Sequence, residues 1–307
     1  MTLISIVTTL YCSESYLEEF YNRIKNAVTK LSKNYEIIFV DDGSPDNSLK
    51  TALKIQGQDS NITVLELSRN FGHHKAIMTG LSYAQGDLIY LVDCDLEEEP
   101  EWILPFYEKM EKENCDVVYG IQETRKGGWF EKVSGFLFYA VYQKLAGADF
   151  PKNITTSRLM TRNYVASLIQ HRERELMLGG LFHITGYTQA PYTVKKLHSA
   201  HSTYNWTRKV SLLTNAIISF SSTPLVFIFY FGFIMAFISS FFIINLLFSK
   251  FILGQPPAGW TSILVSIWFL GGITILCIGL IGIYISKIFI ETKNRPYTII
   301  KKIHSSQ

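Results

Sequence analysis

The chain has 307 residues, 48% of them hydrophobic, and this composition excludes a disordered, collagen-like or small disulfide-stapled protein. Its net charge of +3 is unevenly spread, because residues 1–175 carry 25 of the 26 acidic and 19 of the 29 basic residues. The remainder is therefore strongly basic. Such a segment faces either nucleic acid or an anionic membrane, and the neighbouring hydropathy decides between them.

Two long charge-free stretches, residues 210–249 and 251–286, indicate a membrane rather than nucleic acid. Each exceeds the roughly 20 residues needed to cross a bilayer. We predict a transmembrane hairpin with spans at about 224–248 and 261–286, preceded by an interfacial amphipathic helix over 205–222. The alternative, two buried core helices, would need a larger soluble fold around them than the chain provides.

The charge around these stretches predicts the orientation of the chain. Basic residues flank the predicted hairpin on both outer sides, which places both chain ends in the cytoplasm. The N-terminus lacks the basic region and cleavage site of a signal peptide, and the four scattered cysteines indicate neither a disulfide nor structural zinc. We therefore expect a multi-pass protein of the inner or plasma membrane, with a cytosolic domain over 1–204 and a hairpin over 223–307 that includes a basic cytosolic tail.

The first 121 residues alternate between short β-branched runs and helical patterns, which is typical of an α/β fold with a mainly parallel sheet and helices on both faces. Strands are predicted at 3–9, 36–41, 63–68, 88–93 and 117–120. A helix between the first two strands is indicated by apolar residues at helical spacing, from Leu17 to Leu31. Further along, 129–145 and 161–171 are predicted as helices and 182–194 as strand and turn.

Acidic residues follow two of the predicted strands. Asp41 and Asp42 end the second strand, and Asp93 and Asp95 end the fourth, with Glu97 in the turn after them. Ligands bind at the carboxyl edge of an open α/β sheet, where a carboxylate can hold a base or ribose. Two adjacent carboxylates suit Mg²⁺ or Mn²⁺, which takes its other ligands from water and substrate phosphates. Either acidic pair alone could instead be a capping turn or a solvated face.

Polar groups also follow the third strand, where Arg69 and Asn70 precede a helix that begins near His73 and His74. Cationic and donor groups at this point can face a phosphate or a sugar. The two histidines are adjacent rather than one helical turn apart, so they form a poor metal pair and indicate a surface feature. His198 and His201 are likewise a weak case for zinc binding.

Three strings together, VDDGSPDNS, LSRNFGHHKAIMTGLSYAQGD and VDCDLEEEPEW, resemble the family 2 glycosyltransferases of GT-A fold. More narrowly, the chain resembles the membrane-bound polyprenyl-phosphate glycosyltransferases, which include dolichol-phosphate mannose synthases and bactoprenol glucosyltransferases. The C-terminal pattern agrees, with SFSSTPL, two apolar spans and GIYISKIFIETKNRPYTI in order.

The resemblance implies roles for individual residues. It implies nucleotide binding by Asp41, Asp42, Asp93 and Arg69, and Mg²⁺ or Mn²⁺ binding by Asp93, Asp95 and Glu97. It implies catalytic roles for Asp95, Arg125 and Arg158, and lipid-phosphate binding by Arg125, Lys126 and Lys132. There are also departures: Glu97 stands where relatives often have Gln, Thr156 stands where they have an acid, and no QxxRW motif is present.

Taken together, these features predict a metal-dependent, inverting glycosyltransferase that acts on the cytosolic face in cell-surface glycan assembly. It would move a sugar from a nucleotide-diphosphate sugar to an undecaprenyl- or dolichyl-type phosphate. Three alternatives stay open: transfer to a hydroxyl of a lipid-linked saccharide with Glu97, Glu98 or Glu99 as base, a non-catalytic membrane scaffold, and a transporter of lipid-linked sugar. Glycines in the spans would allow a homo-oligomer such as a tetramer.

Overall fold

The computed structural model describes residues 2–122, 154–173, 178–195, 223–252 and 259–305. Eight strands form one sheet in the order β7-β5-β6-β4-β1-β2-β3-β8. The strands are β1 (Ile4–Leu10), β2 (Tyr35–Asp41), β3 (Ile62–Leu67), β4 (Leu88–Leu91), β5 (Val117–Gln122), β6 (Ile154–Thr161), β7 (Gln189–Val194) and β8 (Ile300–Ser305). The helices are α1 (Glu14–Leu31), α2 (Ser48–Gln56), α3 (His73–Tyr83), α4 (Ile103–Glu113), α5 (Arg162–Leu168), α6 (Leu178–Ile184), α7 (Thr223–Ile252) and α8 (Trp260–Thr292). A short 3-10 helix, Pro100–Trp102, precedes α4.

The four strands β3-β2-β1-β4 run parallel, whereas β6 pairs antiparallel with β4 and β5, and β8 pairs antiparallel with β3. Parallel strands end at the same edge, so the segments after β1, β2, β3 and β4 lie beside one another. This confirms a mainly parallel sheet and places the candidate acids along one edge.

Helices cover both faces of this sheet, and the side-chain alternation of the strands explains how. In β2, Ile37 and Phe39 pack in a core with helices α1, α2 and α4, whereas Ile38 and Val40 pack in a second core with α3, α5 and α6. Because apolar side chains leave the strand on both sides, each face of the sheet buries its own layer of helices.

Helix α1 matches its prediction closely. Its buried residues include Leu17, Phe20, Ile24 and Val28, which recur at helical spacing and face β1 and β2. Ser13 is the N-cap. The amphipathic pattern therefore fixed both the element and its buried face.

Two elements differ from the sequence prediction. Strand β4 ends at Leu91, two residues early, so Asp93 and Asp95 lie in the turn beyond the strand. The predicted strand-and-turn over 182–194 is wrong at its start, because Phe182 belongs to helix α6. Pro191 lies inside β7, which tolerates proline because it is the edge strand of the sheet.

Strand β8 was not indicated by the sequence. Residues 287–307 are predicted as a basic tail, yet Ile300–Ser305 pair with β3, and Thr79 and Thr298 join their hydroxyls at 2.8 Å. The described residues from 295 onward belong with the N-terminal part of the chain, and those between 223 and 294 belong to a second unit.

The second unit contains helices α7 and α8. Within the described residues one segment, Ser266–Thr292, is long and apolar enough to cross a membrane, and Leu225–Met235 is a shorter apolar segment. Helices α7 and α8 lie where the two spans of the hairpin are predicted, and the hairpin itself stays a prediction. The predicted interfacial helix at 205–222 and the aromatic helix at 129–145 lie outside the described residues.

Candidate active site

Asp42 is held at the carboxyl end of β2 by backbone donors from the next loop. Its Oδ1 accepts from the N–H of Phe71 at 2.7 Å, and its Oδ2 accepts from the N–H of Gly72 at 2.9 Å. Gly72 has φ +101 and is the N-cap of α3, so the chain turns back toward Asp42 at a residue that suits glycine. Burial raises the pKa of Asp42, and the two backbone hydrogen bonds oppose that rise.

Asp41 is equally buried, with 2% of its surface exposed. The backbone N–H groups of Gly43 and Ser44 donate to its carboxylate, but Oδ1 has no hydrogen-bond partner among the described residues. Burial raises the pKa of Asp41 to about 6, and the charges of Glu66 and Asp42 add to the rise. A buried, unsatisfied carboxylate oxygen is costly unless a ligand completes it.

The turn after β4 carries the second acidic pair. Cys94 turns inward and donates from Sγ to the carbonyl of Thr9 at 3.2 Å, whereas Asp95 is exposed and accepts at Oδ1 from the N–H of Glu97 at 3.0 Å. Cys94 is therefore buried between two more exposed acids, Asp93 and Asp95, although the strand has already ended. The side chain of Asp93 is 21% exposed.

His73 joins the two acidic pairs, which was not anticipated from the sequence. Its Nε2 lies 3.5 Å from Oδ1 of Asp93, and its Nδ1 lies 3.0 Å from the hydroxyl of Thr9. Burial lowers the pKa of His73, and the charges of Asp42 and Asp95 oppose that fall. Only its position as the first residue of α3, at the shared sheet edge, could have indicated this role.

A pocket opens at this edge of the sheet. It is lined by Thr9, Tyr11, Asp42, Asn70 and His73. Arg69 lies beside it, exposed, with its guanidinium 4.2 Å from the centre of the Phe71 ring.

The metal assignment can be weighed against the donor chemistry. Among the described residues, no three His, Cys, Asp or Glu side chains are grouped closely enough to hold a metal ion alone. Asp93 and Asp95 still supply two hard oxygen ligands at a partly exposed turn, which fits a Mg²⁺ or Mn²⁺ ion that completes its shell with water and phosphate. The roles of Asp93, Asp95 and Glu97 as ligands stay a prediction.

Glu98, one of three candidate bases, is fully buried. Its carboxylate accepts from the N–H of Thr156 at 3.1 Å, from the N–H of Ser157 at 2.7 Å and from the Ser157 hydroxyl. Through these hydrogen bonds Glu98 links the turn after β4, which carries Asp93 and Asp95, to strand β6. A carboxylate that is buried and engaged in this way is poorly placed to remove a proton from an acceptor.

Arg158 is placed differently from its predicted catalytic role. It is 2% exposed, its guanidinium lies 3.2 Å from the centre of the Phe182 ring, and it donates to the carbonyls of Thr155 and Thr156. Burial lowers its pKa to about 10. These contacts favour a structural role between β6 and α6, and its catalytic role stays a prediction. The other predicted phosphate-binding residues, Arg125, Lys126 and Lys132, lie outside the described residues.

Comparisons with known proteins agree on a family. The sequence profile described as "Glycosyl transferase family 2" matches residues 5–169. A Mycobacterium tuberculosis protein named as a glycosyltransferase is 50% identical over 303 residues, which cover 99% of this chain and 89% of that protein. A bactoprenol glucosyl transferase of Shigella phage SfII is 32% identical over 304 residues, which cover 98% of each chain.

Among solved structures, the chain is similar to glucosyl-3-phosphoglycerate synthase of M. tuberculosis in complex with Mn²⁺, UDP-glucose and phosphoglyceric acid. The two are 18% identical, with a TM-score of 0.48, over 71% of this chain and 78% of that one.

Proposed function

The chain belongs to glycosyltransferase family 2, and we propose that it is a membrane-bound, inverting enzyme that moves a sugar from a nucleotide-diphosphate sugar to a polyprenyl phosphate. The proposal of a polyprenyl phosphate as acceptor rests on the near full-length match to a bactoprenol glucosyl transferase. That match extends past residue 169, where the family profile ends, into the apolar C-terminal half. The likeness therefore includes the part of the chain that would meet a lipid.

The donor would be held at the carboxyl edge of the sheet. The unsatisfied Oδ1 of Asp41 accepts a hydrogen bond from the nucleoside, and Asp42 fixes the loop at Phe71 and Gly72 that borders the pocket. Asp93 and Asp95 would hold the divalent ion, which neutralises charge on the departing nucleoside diphosphate. His73 keeps Asp93 in place beside that diphosphate.

The acceptor phosphate needs no general base. A phosphate monoester has its second pKa near ~6, so an oxygen of the lipid phosphate is already a nucleophile at pH 7. It attacks the anomeric carbon as the bond from that carbon to the diphosphate oxygen breaks, which inverts the anomeric configuration. A hydroxyl acceptor would require a base, and Glu98 is engaged with β6, which leaves only Glu97 and Glu99 of the three candidates.

Strand β8 supports a hairpin with both ends on one side of the membrane. Since β8 and β3 lie in one sheet, a crossing of the bilayer by the chain between 195 and 300 would require a second crossing in the opposite direction. If Ser266–Thr292 crosses once, another segment has to cross as well, and α7 is the long apolar helix at hand. With the basic flanks of the hairpin in the cytoplasm, the sheet domain would lie in the cytosol, where nucleotide sugars are made.

The test is a radiolabel transfer assay in membranes that contain the full chain. Labelled UDP-, GDP- and dTDP-sugars are offered with undecaprenyl or dolichyl phosphate, with Mg²⁺, with Mn²⁺ or with a chelator. We expect a mild-acid-labile, metal-dependent glycolipid with one donor. Asp95→Asn should lower the rate at least about 100-fold, the scale of losing one transition-state charge contact.

The matched control is Glu111→Gln, which makes the same carboxylate-to-amide change on the exposed face of α4 and should leave the rate unchanged. Full activity of Asp95→Asn would contradict the metal assignment. Label that appears only on a lipid-linked saccharide would replace the phosphate acceptor by a hydroxyl acceptor.

A further inference from the structure

Strand β8 brings two basic side chains to one buried acid of β3. Lys301 donates from Nζ to Oε1 of Glu66, and Nε2 of His304 lies 3.1 Å from Oε2 of the same carboxylate. The Glu66 side chain is only 12% exposed, so its charge depends on these partners. The contacts lower the pKa of Glu66, with Lys301 as the larger cause.

Glu66 is also the neighbour of Asp41. The two residues are register partners on the parallel strands β2 and β3, so their side chains leave the sheet on the same face. The charge of Glu66 contributes to the raised pKa of Asp41, after burial, and the charge of Asp41 in turn acts on Lys301. A cation that pairs with Glu66 therefore affects the pKa of Asp41, the acid that we propose binds the nucleoside.

We propose that Lys301 is a positioning residue of the donor site, which neutralises Glu66 so that Asp41 keeps the charged carboxylate that binds the nucleoside. This inference rests on the proposed function, in which Asp41 accepts from the donor. It makes the residues that follow the membrane helix part of the nucleotide site, although they are about 260 residues away in sequence.

The other charges around Asp41 do not replace Lys301. Asp42 adds a like charge, and its own cationic neighbours, Arg69 and His73, act on it from the opposite loop. Among the described residues of β8, the second ion-pair partner of Glu66 is His304, whose ring is charged only when protonated.

Lys301 acts by charge rather than by packing. Its side chain is 64% exposed, so its removal leaves the core of the sheet intact. Lys302, the next residue, is the register partner of Glu66, but it is exposed and makes no ion pair with any residue in the described ranges. It is the control that separates the ion pair of Lys301 from a positive charge at the same place on the strand. Both changes to Gln remove one positive charge from the same strand.

The experiment measures binding of UDP and of GDP, each with Mn²⁺, to the full chain in detergent micelles between pH 5 and 8. In Lys301→Gln we expect affinity near pH 5, below the pKa of Asp41, to fall about threefold to tenfold, which corresponds to half to one pKa unit on Asp41. The acid limb of the binding curve should move to higher pH. Lys302→Gln should bind like the wild type, and high salt should shrink the effect of Lys301→Gln.

A charge mechanism also predicts rescue. Glu66→Gln removes the acid that Lys301 neutralises, so the double variant Lys301→Gln with Glu66→Gln should bind at least as tightly as the wild type. A loss that Glu66→Gln does not rescue would show that Lys301 merely docks the strand, and equal binding by Lys301→Gln and Lys302→Gln would also overturn the inference.

A ligand-free measurement separates this inference from the proposed function. The titration of Asp41, followed by carboxyl ¹³C NMR with Asp41→Asn to assign its signal, should move to higher pH in Lys301→Gln and to lower pH in Glu66→Gln. An unmoved titration would overturn the inference directly. If the titration moved as expected but the wild type bound no nucleoside diphosphate, the proposed function alone would be contradicted.

Discussion

The negative charge of Asp41 destabilises the folded state, although the proposed function needs that charge to bind the nucleoside. Burial raises its pKa in the folded chain from 3.8 to about 6, so ionisation is harder in the folded than in the unfolded state. The cost is fully present above pH about 6 and disappears as the pH falls toward 4, where both states bind the proton. A shift of this size corresponds to about 3 kcal/mol.

We therefore expect Asp41→Asn to raise the thermal unfolding midpoint at pH 8 and to gain less at pH 4.5. The amide oxygen can accept from Gly43 and Ser44 as the carboxylate does, and about 2 kcal/mol of stabilisation is a reasonable scale. The same variant should lose nucleoside diphosphate binding. An unchanged or lower midpoint at pH 8 would contradict the cost assigned to this charge.

Asp59 is the control of opposite sign. Lys25, Tyr21 and Tyr35 hold this carboxylate by hydrogen bonds at 2.8 to 2.9 Å, and its pKa is lowered to about 2 despite burial. Its charge stabilises the fold above pH about 4 and this contribution is lost as the pH falls toward 2. Asp59→Asn should therefore lower the unfolding midpoint at pH 8, where Asp41→Asn raises it.

Glu98 provides a second prediction at this scale. In Glu98→Gln an amide N–H₂ replaces one carboxylate oxygen and faces the donors at Thr156 and Ser157, so a buried hydrogen bond is lost. We expect destabilisation by about 2 kcal/mol, read from the unfolding midpoint. Glu99→Gln makes the same change at a half-buried neighbour and should have little effect. Equal unfolding midpoints for Glu98→Gln and Glu99→Gln would contradict the role of Glu98 in holding the turn after β4 to β6.

At the scale of elements, the turn after β2 and the loop after β3 are fitted to each other. Gly43 has φ +63, and a Cβ there would lie 2.5 Å from the N of Asn70 and 2.6 Å from the C of Arg69. That loop carries the backbone donors to Asp42. Close approach of the two segments is thus possible only without a side chain at residue 43.

Gly43→Ala should therefore weaken nucleoside diphosphate binding about tenfold or more and lower the unfolding midpoint. The left-handed conformation alone costs about 1 kcal/mol for a residue with a Cβ, and the displaced loop adds to it. Gly57→Ala is the matched change, because its Cβ would make only ordinary contacts at 3.5 Å or more. Gly43→Ala that binds like Gly57→Ala would show that the loop does not need this fit.

The elements also show what local sequence can and cannot predict. Strands β1 to β3 and helix α1 were predictable because the spacing of their own apolar residues indicates both the type of element and its buried face. Strands β6 and β8 were missed since their partners are distant in sequence: β8 pairs across more than 230 residues and includes Lys301 and Lys302. The run at Phe182 is apolar and short, a pattern that does not distinguish helix from strand.

The site was predictable to the same extent. Asp41, Asp42, Asp93 and Asp95 were found because strand ends of a parallel sheet share an edge. The place of His73 between the pairs, the engagement of Glu98 and the burial of Arg158 depend on how loops and β6 pack. No residue spacing carries that information.

At the scale of the whole molecule, the N-terminal domain is completed by residues that follow the long apolar helix α8. Residues 295–307 belong with the N-terminal unit, and β8 covers the edge of β3. Without β8, β3 would expose unpaired backbone groups, which promote aggregation, and Glu66 would lose both basic partners. A soluble version cut before the membrane segment is therefore an incomplete domain.

We expect residues 1–205 alone to be aggregation-prone, whereas residues 1–205 joined to 295–307 by a Gly/Ser linker should be monodisperse. About 20 linker residues give an end-to-end reach of about 25 Å. The comparison uses size-exclusion chromatography, the unfolding midpoint and UDP binding with Mn²⁺. As control, the linked version with Gly/Ser in place of 300–305 should behave like the unlinked one, because linker length is kept and only the strand is lost. Equal stability of the three proteins would show that β8 is not needed for the domain to fold. The argument that pairs two membrane crossings through β8 would then lose its basis.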